Sequence, residues 1–142
     1  MHTLNLSLED ASAVMEAAIR FAQEKKLRPL GIAVLDHSGE LLCLVRQDGA
    51  PPLRGKVATG KARAVWAVGQ TTRELEKVAM ERPHFFTALT SLLPEGIVPT
   101  AGGLPIRREV GGVIIGSIGV SGDTSDKDEE CGLHALMNCG FV

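Results

Sequence analysis

Apolar residues recur with two different periods along the chain, and these periods predict its secondary structure. In residues 7–26 they return every third or fourth position, which predicts an amphipathic helix. Ser7 is a favourable N-cap residue, and Glu9 and Asp10 suit the positive end of the helix dipole. Pro29 ends any continuation of the helix.

Two hairpins are predicted where short apolar runs flank turn-forming residues. The first joins residues 32–35 to residues 41–45 through a turn at residues 36–39. The second joins residues 106–109 to residues 113–120 through a Gly-Gly pair. Both strands of the first hairpin are apolar on both faces, so we expect helices or a second copy of the chain to cover them.

The remaining periodic segments predict four more helices. They span residues 54–68, 71–80 and 84–93, and a last segment that begins at residue 124. Thr71 or Thr72 can cap the second of these helices, and Ser125 with Asp128 fits a capping box for the last. Because the strands come as hairpins rather than βαβ units, the order predicts an α/β (α+β) fold with helices packed on a central antiparallel sheet.

Glycines are concentrated between residues 100 and 132, around the strongest apolar run of the chain. Gly116 and Gly119 interrupt a predicted strand, which indicates close approach by a helix or a ligand. Gly102 and Gly103 precede another predicted strand. We expect their backbone to line a ligand site, with Pro105 fixing the exit into the strand.

Size, charge and cysteine content restrict the class of protein. The 142 residues correspond to one domain, residues 1–142. A net charge of −2 with no basic tail argues against nucleic-acid binding. The sequence contains neither a signal-peptide pattern nor an apolar run that could span a membrane. Three unevenly spaced cysteines argue against a disulfide framework and fit a reducing cytoplasm.

Four segments together resemble the GlcG/HbpS-like family, also known as a haem-degrading domain family. They are VLDHSGELLCLVRQDGA, GKARA, GGLPI and GVIIGSIGVSGDTSDKDEEC, in this order. The resemblance implies a profilin-like sandwich, homo-oligomers, and a small-molecule or haem site in some members. It also implies an association with glycolate, diol or glycerol metabolism, or with cobalamin adenosyltransferases, on which the domain occurs as an extra unit.

Candidate ligand contacts follow from side-chain chemistry and from this resemblance. Lys61 falls on the helix pattern of the family, and with Arg63 it could bind a carboxylate. Arg107 and Arg108 lie on alternating faces of a predicted strand, so only one of them can face a pocket. The sequence identifies no catalytic residue and no metal site. The predicted ligand-binding residues are Gly102, Gly103, Pro105, Lys61, Arg107 and Ser121.

Haem is a candidate cofactor, although the usual iron donors are sparse. The chain has no tyrosine, and the first predicted helix has no histidine at the position that the resemblance associates with haem. Met15 is the only soft donor in that helix, His2 precedes it, and His84 is an alternative. Cys131 and His134 share a helix face but cannot complete a structural zinc site alone.

The sequence therefore predicts a small-molecule-binding accessory protein of bacterial small-metabolite metabolism, of the glycolate, diol or glycerol type. The alternatives are a haem-binding or haem-degrading protein, an enzyme acting on a small oxygenated metabolite, and a structural or interaction subunit. The expected partners are a small-molecule ligand and further copies of the chain, with no nucleic acid and no membrane.

Overall fold

Five helices and four strands make up the computed structural model, which describes residues 5–142. They are α1 (Leu8–Glu24), β1 (Gly31–Asp36), β2 (Leu41–Arg46), α2 (Pro52–Val68), α3 (Thr72–Glu81), α4 (Pro83–Ser91), β3 (Gly103–Ile106), β4 (Gly116–Ser121) and α5 (Ser125–Asn138). The strands form one antiparallel sheet in the order β2-β1-β4-β3. The predicted α+β fold with a central antiparallel sheet is confirmed.

The sheet is covered on both faces, which explains why β1 is apolar on both of its sides. Ile32 and Val34 of β1 belong to the main core beneath α1 and α5. The intervening residues of β1 lie on the α2 side, and residues 31–35 are all buried. The edge strand β2 is covered less completely, since Leu41 and Leu44 remain about half exposed.

Glycines in the sheet allow the backbone of α2 to approach it closely. A Cβ atom built on Gly119 would overlap the carbonyl oxygen of Ala58 and lie 2.8 Å from the amide nitrogen of Ala62. No side chain fits in that space, so the expected close approach of a helix at Gly119 is confirmed. A Cβ atom built on Gly116 would instead lie 2.6 Å from the carbonyl oxygen of Leu35 in the neighbouring strand.

Two of the predicted N-caps are confirmed. Ser7 accepts a hydrogen bond from the amide of Asp10 at 3.0 Å, and Thr71 forms a capping box with Glu74. At α5 the prediction was wrong, because Thr124 is the N-cap residue and accepts from the amide of Lys127. The carboxylate of Asp128 is instead buried beside Lys61.

The second hairpin exists, but its strands lie elsewhere than predicted. The first strand begins at Gly103 and ends at Ile106, so Arg107 and Arg108 follow the strand instead of lying within it. Residues 113–115 are likewise outside the paired strand, which starts at Gly116. Pairing places Gly103 opposite Gly119, where both residues face α2. Beyond Ile106, the backbone of Arg107 exchanges hydrogen bonds with that of Val142, so it does not extend the pairing with β4.

The helix α4 is apolar but buries none of its residues. Its sequence contains Phe85, Phe86 and Leu89, and Phe85 is 40 % exposed. Within residues 5–142, α3 is the one element against which α4 packs. Over the same residues, no helix is both long and apolar enough to cross a membrane.

Candidate functional site

Among residues 5–142, the most deeply buried charged side chains are Lys61 of α2 and Asp128 of α5, which form an ion pair. The Nζ atom of Lys61 lies 3.3 Å from Oδ2 of Asp128, and both side chains are 3 % exposed. The same ammonium donates to the carbonyl oxygens of Ala101 at 3.0 Å and Val120 at 2.8 Å. Lysine has three donors, so all of them are used within the protein.

Asp128 ties the turn between β4 and α5 to this pair. Its carboxylate accepts hydrogen bonds from the backbone amides of Gly122 at 3.3 Å and Asp123 at 3.0 Å. Burial raises the pKa of Asp128, and the charge of Lys61 opposes that shift. Burial likewise lowers the pKa of Lys61, and Asp128 opposes it. Each charge therefore offsets the cost of burying the other. Through their hydrogen bonds, the two side chains link α2, the turn before α5, and the backbone at Ala101 and Val120.

The structure brings four of the six predicted ligand-binding residues to this buried centre. Gly102 and Gly103 pass beside Lys61, and a Cβ atom on Gly102 would lie 2.8 Å from its Nζ atom. The amide of Gly103 donates to Oγ1 of Thr72 at 2.7 Å. Ser121 is also buried, directly before the turn that Asp128 holds.

The other two predicted residues, Pro105 and Arg107, lie apart from that centre. Pro105 is buried in the edge strand β3. Arg107 follows the strand, and its Nε atom donates to the carbonyl oxygen of Gly112 at 3.1 Å. The predicted pair of Lys61 with Arg63 does not form a common site, because Arg63 donates to two backbone carbonyls of the 95–96 segment. Ligand contact by the six predicted residues stays a prediction.

A separate cleft opens between the end of α1 and β2, and we call it the α1–β2 cleft. Its volume is about 560 Å³. Apolar side chains and polar or charged side chains share its lining in nearly equal numbers. The lining residues are Ile19, Ala22, Gln23, Lys26, Leu27, Pro29, Val45, Arg46, Gln47 and Asp48.

Two cationic side chains, Lys26 and Arg46, line the α1–β2 cleft, and their hydrogen-bond donors are only partly used within residues 5–142. Arg46 donates from one terminal nitrogen to the carbonyl oxygen of Ala50 at 2.5 Å. Lys26 has a positive φ of 54°, which turns the chain after α1. Asp48 supplies a single opposing carboxylate. Sequence reasoning missed this cleft, because its charged residues resemble ordinary solvated positions at the end of a helix and a strand.

The potential iron donors are dispersed over the described residues. His134 is exposed and its ring lies 4.6 Å from that of Phe21. Cys131 is buried, and its Sγ atom lies 3.4 Å from the carbonyl oxygen of Ala18. Met15 is buried in the main core, and His2 lies outside the described residues. In residues 5–142 no three His, Cys, Asp or Glu side chains are grouped to hold a metal ion.

Comparison with known proteins gives consistent results for family and fold. The model of the haem-degrading HbpS-like family matches residues 6–137. A protein from the dhaT–dhaS intergenic region of Citrobacter freundii is 29% identical over 131 residues, covering 88% of this chain and 90% of that protein. The corrinoid adenosyltransferase PduO of Salmonella typhimurium is 27% identical over 131 residues, 92% of this chain but only 38% of PduO.

Solved structures show the same fold over almost the whole chain. Protein ORFY of Klebsiella pneumoniae superposes with a TM-score of 0.84 at 25% identity, covering 99% of this chain and 93% of ORFY. A double mutant of HbpS from Streptomyces reticuli superposes with a TM-score of 0.82 at 28% identity, covering 97% of this chain and 89% of the HbpS chain. A complex named PduOC:Heme superposes with a TM-score of 0.84 at 24% identity, covering 96% of each chain. Because the family model matches residues 6–137 of this chain, the chain belongs to the haem-degrading HbpS-like family.

Proposed function

We propose that the protein binds a small organic anion with an apolar body in the α1–β2 cleft, as an accessory protein of small-metabolite metabolism. The observation that carries this proposal is the cleft itself. Its volume of about 560 Å³ lies within the roughly 300–1,000 Å³ that is typical of small-molecule sites. Its apolar lining residues suit a hydrocarbon or aromatic body.

The charges at the rim favour an anionic group on that ligand. Lys26 and Arg46 provide two positive charges against the one negative charge of Asp48. The guanidinium of Arg46 uses one terminal nitrogen for Ala50, so its remaining donors can bind a carboxylate. The names of two relatives support the metabolic setting, since one comes from the dhaT–dhaS region and the other is a corrinoid adenosyltransferase.

Haem binding is the second candidate function, and the family match and the PduOC:Heme complex favour it. The apolar lining of the α1–β2 cleft suits the ring of a porphyrin, and Lys26 and Arg46 suit its carboxylates. It does not fit axial ligation of the iron, because no His, Cys, Met or Tyr is among the residues that line it. Haem in this cleft would therefore be held by its ring and carboxylates.

The test uses two anionic probes, 8-anilinonaphthalene-1-sulfonate and metal-free protoporphyrin IX. A partly exposed charge contact contributes about 0.5–1 kcal/mol, so Lys26→Gln should weaken the binding of each probe about two- to fivefold. The double variant with Arg46→Gln should weaken it about tenfold. Lys77→Gln removes an exposed lysine from α3 and serves as the matched control. Unchanged affinity in the double variant would contradict the proposed site.

Haem is distinguished by comparing hemin with metal-free protoporphyrin IX. Binding by ring and carboxylates alone predicts similar affinities for the two, with no sharp Soret band from a ligated iron. A hemin complex that is more than about tenfold tighter, and that is lost in His134→Ala or His84→Ala, would assign haem to another site with an axial histidine.

We also propose that the protein forms homo-oligomers through α4. On this apolar helix the ring of Phe85 is 40 % exposed, which leaves it to be covered by another copy. Size-exclusion chromatography with light scattering should show a dimer or larger, and Phe85→Glu should lower the measured mass. Val113→Glu, in the exposed loop before β4, is the control. A monomeric wild type at micromolar concentration would contradict this assembly.

A further inference from the structure

A second groove lies on the opposite side of the sheet from the α1–β2 cleft, between α2 and β2. It consists of a pocket of about 220 Å³ and an adjoining one of about 300 Å³, which share Leu41, Thr59, Arg63 and Glu95. The smaller pocket is also lined by Trp66, Glu40 and Ser38, together with Leu35 and Gly39. We call this the Trp66 groove. None of these residues lines the α1–β2 cleft.

The indole of Trp66 is held in a fixed orientation. Its Nε1 atom donates to the carbonyl oxygen of His37 at 3.1 Å. A Cβ atom on Gly39 would lie 2.6 Å from two atoms of the indole, so the ring rests directly on the glycine backbone. Trp66 is nevertheless 41 % exposed. One part of a preorganised aromatic surface is therefore available to a ligand.

Arg63 is positioned by the 95–96 segment. Its Nη1 atom donates to the carbonyl oxygens of Glu95 at 3.1 Å and Gly96 at 2.8 Å. Within residues 5–142, its Nε and Nη2 atoms make no hydrogen bond, so they retain free donors. The hydroxyl of Ser38 adds a further donor and acceptor at the same pocket.

The charges of the smaller pocket argue against an anionic ligand. Glu40 and Glu95 place two negative charges beside the one positive charge of Arg63. A simple amine would pair with the carboxylates but leave the free Nε and Nη2 donors of Arg63 without an acceptor. A neutral polyhydroxylated molecule satisfies both, because each hydroxyl can donate to a carboxylate and accept from the guanidinium. Its C–H face suits the exposed indole.

From this combination we infer that the Trp66 groove binds a small neutral polyol. The smaller pocket lies below the roughly 300–1,000 Å³ of sites for drug-sized molecules, so its occupant is a small one. The adjoining pocket, with Lys56 at its border, allows a longer polyol to extend along β2. This site is independent of the anion proposed for the α1–β2 cleft.

Fluorescence of Trp66 tests the inference directly, because it is the one tryptophan of the chain. The probes are glycerol, xylitol and sorbitol, with gluconate as the anionic counterpart of sorbitol. We expect a saturable change in emission with sorbitol or xylitol, and at least tenfold weaker binding of gluconate. Glu40→Gln, an exposed position that the fold does not require, should weaken polyol binding about fivefold, whereas Glu24→Gln at the end of α1 should not change it.

Three results would overturn the inference. They are a linear, non-saturating response to all three polyols, gluconate binding as tightly as sorbitol, and equal polyol affinity in Glu40→Gln and wild type. Each is distinct from a failure of the α1–β2 cleft, since the anionic probes of that cleft are tested with Lys26 and Arg46 variants on the other side of the sheet.

Discussion

Replacing Lys61 by methionine separates a structural role of this lysine from a role in ligand binding. Lys61→Met keeps much of the apolar side chain but leaves the carboxylate of Asp128 buried without its counter-charge. It also removes the donor to Ala101 and Val120. Loss of one partner from a buried ion pair costs about 3–5 kcal/mol. For 142 residues this lowers the melting temperature by about 10–20 °C.

The loss should depend on pH in a defined direction. Burial already raises the pKa of Asp128, and removing Lys61 removes the charge that opposes this shift. The folded variant then binds a proton at Asp128 that the unfolded chain releases, so the stability that this carboxyl contributes is fully present below its unfolded-state pKa and is lost as pH rises through its folded-state pKa. The deficit relative to wild type should be smaller at pH 5 than at pH 8.

Urea unfolding followed by circular dichroism at 222 nm, at both pH values, measures these differences. The double variant Lys61→Met/Asp128→Asn should recover part of the lost stability and show less pH dependence, because no unpaired charge remains. A single variant within about 1 kcal/mol of wild type at pH 8 would refute the structural reasoning. If that variant also lost probe binding, Lys61 would be a ligand contact, as the sequence predicts.

Two further predictions concern packing and thiol chemistry. Gly119→Ala should lower the free energy of unfolding by about 1–3 kcal/mol, because the new Cβ atom meets the backbone of α2. In the control Gly55→Ala, the new Cβ atom would lie 3.6 Å from the side chain of Leu44, so the free energy of unfolding should stay unchanged or rise by up to about 1 kcal/mol. Equal effects of the two substitutions in urea unfolding would contradict this reasoning. Burial raises the pKa of Cys131 to about 12, so iodoacetamide at pH 8 should modify Cys43 and spare Cys131 until the protein unfolds; mass spectrometry showing Cys131 labelled first would contradict it.

Elements with local signals could be predicted from the sequence, and elements fixed by tertiary contact could not. Ser7 and Thr71 cap their helices through residues three positions away, so the signal is contained in a short window. The strand β3 ends where the backbone of Arg107 bonds to the distant Val142, and α2 requires glycine at the paired positions 103 and 119. The apolar residues 113–115 resemble a strand equally well, but the strand starts at Gly116, and Ile115 only donates its amide to the carbonyl oxygen of Ile106.

The candidate sites depended still more on distant parts of the chain. Lys61 and Asp128 are 67 residues apart, and nothing near either residue indicates that they form a buried pair. Gly103 packs closely against Thr72 and Lys61, and ligand contact by Gly102 and Gly103 stays a prediction. The α1–β2 cleft combines surface residues of two elements, each of which has an ordinary amphipathic pattern alone.

Mapping a bound probe on the backbone tests the central claim most directly. Isotope-labelled protein would be titrated with metal-free protoporphyrin IX, and amide chemical shifts would be followed by two-dimensional NMR. The account predicts the largest changes at Gln23, Lys26, Val45 and Gln47, which line the α1–β2 cleft. Largest changes at Gly102 and Gly103, with the α1–β2 cleft unaffected, would contradict the proposed site and favour the glycine loop.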